Sequence, residues 1–138
     1  MRIVIDTNIW VSGLLWRGPA WRLLRMAEDG QVEICIAPAM LLELAEVLGY
    51  ERLQPRLATL GETADELVAF ALNVSTPLDV SRGPVTLVAN DPDDDIFLAC
   101  AVAAGASYVV TADRHLLRMA THEAIPIVSL DEFLNQLT

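Results

Sequence analysis

Lysine is absent from these 138 residues: all nine basic residues are arginine, against nineteen aspartates and glutamates, for a net charge of −10. This absence argues against two classes of phosphoryl-transfer protein that carry an aspartate at the tip of a first parallel strand. Haloacid-dehalogenase-type phosphatases and response-regulator receiver domains both steady their phosphate with a lysine. The first class also needs Asp-x-Asp where this chain has Asp6-Thr7-Asn8. Cysteine is scarce. Cys35 and Cys100 sit inside apolar segments with no zinc spacing, which predicts free thiols in a reducing cytoplasm. The seven glycines are scattered, so no loop cradles phosphate. No Gly-x-Ser-x-Gly elbow accompanies His115 or His122, so a nucleophilic triad is excluded and both histidines read as surface. The longest apolar runs, 34–42 and 96–104, are about half of what a membrane span needs. No cationic start followed by a leader-like stretch is visible. The expectation is a cytoplasmic protein without a membrane partner.

Apolar residues are plentiful: 54% of the chain, with a mean hydropathy of +0.41, enough for one packed core and too many for disorder. Length predicts a single domain over 1–138. Short β-branched runs alternate with helical patterns. Strands are predicted at Arg2–Asp6, Val32–Ile36, around Val74–Val80, at Ser107–Thr111 and at Ile125–Val128. Helices are predicted over Pro19–Asp29 and Pro38–Gly49, and a short one over Glu51–Leu57, disrupted by Pro55. Another follows a capping box at Thr63–Glu66, one runs from an Asp91 cap to Ala104, and a last follows the capping box Ser129–Glu132. Strands separated by helices imply right-handed crossovers. The expected fold is α/β, a three-layer α/β/α sandwich around a central parallel sheet of about five strands.

Acidic residues gather at one edge of that sheet. Asp6 ends the first strand, and Asp113 lies two residues past the fourth. Glu43 lies in the helix leaving the second strand; Asp91, Asp93, Asp94 and Asp95 crowd the start of another crossover helix. Ligands of open α/β sheets bind outside the carboxyl ends of the strands. Each acid also has a purely structural explanation. Asp91 and Asp113 serve as helix caps, and Glu43 with Glu46 as a solvated helix face. Asp6 is harder to explain this way, because an acid at the tip of a strand buried on both sides is costly without a partner. With no lysine available, the natural counter-charge for converging carboxylates is a divalent cation, and oxygen ligands favour Mg²⁺ or Mn²⁺.

These residues together resemble a known pattern. Asp6-Thr7-Asn8 after an N-terminal strand, Glu43 in Leu-Leu-Glu-Leu-Ala-Glu-Val-Leu, Asp91-Pro-Asp-Asp-Asp-Ile-Phe-Leu-Ala-Cys-Ala101 and Tyr108-Val-Val-Thr-Ala-Asp113 resemble the four motifs of PIN-domain nucleases. The chain is most similar to the VapC-like toxin components of bacterial toxin–antitoxin pairs. The resemblance implies a PIN-like fold whose metal-binding, catalytic acids are Asp6, Glu43, Asp94 and Asp113. Asp94 is preferred over Asp95 because it stands seven residues before Ala101, the family's acid-to-alanine register. Thr7, Asn8 and Thr111 would support the site, orienting Asp6 or a metal-bound water. The implied activity is Mg²⁺- or Mn²⁺-dependent hydrolysis of phosphodiesters in single-stranded RNA, with a small antitoxin and a second copy of the chain as partners. The competing class is a PIN-like module that binds RNA or protein without cutting it. Trp10, Trp16 and Trp21 beside Arg17, Arg22 and Arg25 are either core tryptophans with solubilising arginines or a rim facing RNA or protein.

Overall fold

The structure is a computed structural model that describes residues 1–79 and 92–137. Its sheet is built from β1 (Arg2–Ile5), β2 (Glu33–Ile36), β3 (Ser75–Pro77), β4 (Tyr108–Val110), β5 (Thr121–His122) and β6 (Ile125–Val128), in the order β3-β2-β1-β4-β6-β5. Pairings are parallel except β5 with β6, a tight antiparallel hairpin. Ile3, Val4 and Ile5, Ile34 to Ile36, and Val109 with Val110 are all but fully buried. Such runs lack polar alternation because helices cover both faces of a parallel sheet.

The helices are α1 (Thr7–Trp16), α2 (Gly18–Glu28), α3 (Pro38–Leu48), α4 (Gln54–Leu60, entered through a 3-10 turn at Glu51–Leu53), α5 (Ala64–Val74), α6 (Pro92–Ala104), α7 (Arg114–Met119) and α8 (Leu130–Gln136). The result is the three-layer α/β sandwich expected. The Thr63 and Ser129 hydroxyls accept from the amides of Glu66 and Glu132, so both predicted capping boxes form. Gly105, at φ +62°, ends α6. Asp91, predicted to cap that helix, lies outside the described residues, as does the far end of the predicted strand around Val74–Val80.

Three elements depart from the sequence reading. Helix α1 carries no apolar stripe to announce it: Thr7, Ile9, Trp10, Val11, Gly13, Leu14 and Leu15 are all buried, so the helix is enclosed nearly all round. Pro55 does not disrupt α4, because it occupies the first turn, where no amide is required. Strand β5 has only two residues and offers no pattern to read. The tryptophans also divide. Trp10 is core, Trp21 half-buried against Phe70, and Trp16 is 54% exposed. Gly13 lets α1 and α2 meet, since a Cβ there would stand 2.8 Å from the Leu24 side chain and 3.0 Å from the Ala20 carbonyl carbon.

The strand order fixes where a ligand can enter. From β1 the chain steps to β2 and β3 on one side, then returns to β4 on the other. Right-handed crossovers in opposite directions place the helices that follow β1 and β4 on opposite faces, opening a crevice at the carboxyl ends of these two strands.

Candidate active site

Asp6 follows β1 directly and its backbone amide donates to the Val110 carbonyl of β4, so the carboxylate sits at that crevice. It is 5% exposed. Oδ1 accepts from the Ile9 amide at 2.9 Å, which makes Asp6 the N-cap of α1. Oδ2 accepts from the Thr111 hydroxyl and, at 3.1 Å, from the Ala112 amide. A carboxylate offers about four lone-pair positions. Three are filled by the protein, and no arginine or histidine is paired with it among the described residues. Burial therefore raises its pKa above 3.8; the Thr111, Ile9 and Ala112 hydrogen bonds oppose the rise, and the charge of Asp113 adds to it.

Thr111 is fully buried and joins the two acids. Its hydroxyl donates to Asp6 and accepts from the Asp113 amide at 2.9 Å. Asp113 in turn caps α7, with its Oδ1 accepting from the amides of His115 at 2.7 Å and Leu116 at 3.3 Å. Both acids are held by helix starts at the ends of neighbouring strands, and the bland reading of Asp113 as a cap is also true of it. Thr7 is buried beside Asp6, whereas Asn8 faces solvent. The described partners of Asp6 are Thr111, Ala112 and Ile9, and the last two act through backbone amides that no side-chain motif advertises.

Glu43 is half-buried in the second turn of α3, which leaves the carboxyl end of β2. Asp94 and Asp95 fall in the first turn of α6, but their side chains and that of Asp93 lie outside the described residues. Among the described residues no three His, Cys, Asp or Glu side chains stand close enough to hold a metal ion. The described part of the site therefore consists of Asp6, Thr111 and Asp113. Its donors are hard oxygens, Asp6 keeps about one lone-pair position, and no cation balances its charge. That set fits Mg²⁺ or Mn²⁺. His115 is exposed and His122 half-buried.

Comparison with known proteins identifies the family and the fold. A model of the PIN domain matches residues 2–115. The chain belongs to the PIN-domain family. Among solved structures, this PIN domain is similar to VapBC2 from Rickettsia felis, bound to a DNA fragment from its promoter. There the TM-score is 0.60 at 16% identity, with 94% of this chain and 98% of the other covered. PAE2754 from Pyrobaculum aerophilum gives a TM-score of 0.53 at 16% identity, over 99% and 98% of the two chains. No curated protein matches the sequence significantly. The PIN match takes in Asp6, Glu43, Asp94 and Asp113 and stops just beyond the last.

Proposed function

We propose that this PIN domain is a Mg²⁺- or Mn²⁺-dependent endoribonuclease acting on single-stranded RNA, the toxin of a toxin–antitoxin pair. One observation carries the reading: Asp6 is buried at the strand-order switch with no cationic side chain paired to it among the described residues, and is hydrogen-bonded through Thr111 to the residue that bears a second carboxylate, Asp113. Asp6 and Asp94 would hold the ion, Asp113 would supply a further or water-mediated contact, and Glu43 would orient the attacking water. When bound, the ion lowers the pKa of a coordinated water and offsets charge developing on the phosphoryl group. The Thr111 hydroxyl favours the ionised form of Asp6, opposing the effect of burial, and fixes its orientation. The Ile9 and Ala112 amides hold the carboxylate rigid, so that it need not reorganise during the reaction.

The partners we assign are a small antitoxin and a second copy of the chain, in the cytoplasm. The support is the likeness to the VapBC2 assembly and to the toxin motifs. No helix among the described residues is long and apolar enough to cross a membrane. The test is cleavage of end-labelled single-stranded RNA by purified protein with Mg²⁺, Mn²⁺ or EDTA, beside Asp6→Asn prepared identically. Metal-dependent cutting that Asp6→Asn abolishes is expected. Equal cutting by wild type and variant, or in EDTA, sinks the proposal. RNA binding without cutting assigns the chain to the silent, binding class.

A further inference from the structure

Most of the described arginines are already engaged. Arg2 pairs with Glu33 and Arg25 with Glu28. Arg17, Arg52 and Arg56 lie over the rings of Trp21, Tyr50 and Trp16, and Arg56 Nε also donates to the Leu15 carbonyl at 2.7 Å. Arg22 lines a surface cleft with Asp131. Arg22 makes no ion pair or ring contact among the described residues, but it stands alone, whereas Arg114 and Arg118 stand together on one short helix directly after Asp113. Both are exposed on α7, and among the described residues neither makes an ion pair or a ring contact. The nine residues from Arg114 to His122 contain two arginines, two histidines and no acid, in a chain whose acids outnumber its bases nineteen to nine.

The position of this pair is fixed tightly. Leu116 is fully buried and Leu117 packs on the core, which turns Arg114, His115 and Arg118 to solvent. Four residues apart on one helix, Arg114 and Arg118 share a face, with their Cα atoms about 6 Å apart along the axis. That is close to the separation of successive phosphates on an unstacked strand. Asp113 caps the helix at one end. At the other, Ala120, Glu123 and Ala124 all take positive φ, 63°, 50° and 65°, in a hairpin built without glycine or asparagine. Backbone this unfavourable persists only where its surroundings dictate it. Like charges at this spacing disfavour a helix, and no described carboxylate relieves them. The neighbouring acids in sequence are Asp113, committed to the cap, and Glu123, on the hairpin turn.

We propose that Arg114 and Arg118 form a phosphate clamp that grips the RNA strand beside the scissile bond, bringing a polyanion to a protein whose net charge repels it. The inference rests on the nuclease reading but is tested without it. A short fluorescein-labelled single-stranded RNA is titrated in EDTA, which blocks cleavage, at several salt concentrations. Arg114→Gln with Arg118→Gln is expected to raise Kd about tenfold or more at low salt and to flatten the log–log salt slope by about 1.4, two phosphates at about 0.7 each. Arg118→Gln alone, one turn away from the Asp113 cap, should give about half that change in slope even if the double variant folds poorly. Replacement of both by lysine should restore the slope, and Arg25→Gln should leave it unaltered. A wild-type slope in the glutamine variants, or an equal change in Arg25→Gln, overturns the clamp. So does normal RNA binding with lost affinity for an acidic peptide, which assigns the pair to a protein partner. If wild type never cuts RNA with any metal while the slope still falls in the variants, the nuclease reading fails and the clamp stands.

Discussion

The two rims of the central sheet treat charge in opposite ways. At the amino-terminal rim, Arg2 meets Glu33 across the β1–β2 pair at 3.1 Å and also donates to the Ala104 carbonyl at 3.1 Å, the last residue of α6. Both ionic side chains remain well exposed, and each has the other as its opposite charge. At the carboxyl-terminal rim, Asp6 is buried, linked through Thr111 to a second acid, and given hydrogen bonds but, among the described residues, no cationic side chain. One rim is arranged for stability at little cost, since exposed ion pairs contribute at most about 1 kcal/mol. The other brings two like charges near each other, and burial and the Asp113 charge both disfavour the ionised form of Asp6. Unbalanced charge, rather than charge itself, marks the working end.

The sharpest way to break this contrast is to remove charge from the working rim without changing shape. Asp6→Asn and Asp94→Asn should each lower RNA cleavage by at least about a hundredfold, the scale of several kcal/mol of lost transition-state stabilisation. Circular dichroism should show the fold intact. Asp95→Asn should leave metal binding nearly unchanged, and a loss there with none at Asp94 reverses the choice of ligand. Thr111→Val comes next. It deletes the hydroxyl that steadies Asp6, and should weaken Mn²⁺ affinity by about 10–100-fold, as loss of an outer hydrogen-bond partner generally does. Isothermal titration of the two proteins checks it.

A smaller effect should appear in thermal melts with chelator. Burial raises the pKa of Asp6 above its unfolded value of 3.8, so the folded state binds this proton more tightly than the unfolded chain. The ionised carboxylate therefore opposes folding at neutral pH, and the penalty fades as pH falls through the folded pKa. Tm should rise as pH falls from neutrality through the folded pKa of Asp6, before general acid unfolding begins, and Asp6→Asn should remove that portion of the slope. A Tm that only falls on acidification contradicts the assignment. Least of all should happen at the opposite rim: Arg2→Gln should cost no more than about 1 kcal/mol in a denaturant melt and leave cleavage untouched. A cleavage defect there would mean the two rims are not independent.

The layout of this molecule was largely written in its periodicities and caps. The buried β-branched runs located β1, β2, β4 and β6, and Thr63 and Ser129 announced α5 and α8 before any coordinates. Asp6 was legible because a charge at the tip of a strand buried on both sides is costly without a partner. What escaped was set by tertiary surroundings. Helix α1 is apolar on nearly every side because neighbours enclose it, so no stripe marks it. The Ala112 and Ile9 amides that hold Asp6 carry no side-chain signature. The tryptophan and arginine cluster near the N-terminus could not be resolved from spacing, and in space it separates into core, ring contacts and ion pairs.

Asp6 and Asp113 each open a helix as well as facing the crevice. A relative that abandoned catalysis would still need an oxygen acceptor at both places, and asparagine or serine caps a helix about as well as aspartate. Oxygen-bearing side chains at these positions are thus what stability alone would preserve, and their presence says little about whether a relative still cuts. The informative change is the nearly invisible one, an amide in place of the acid at position 6, which keeps α1 in place and silences the charge.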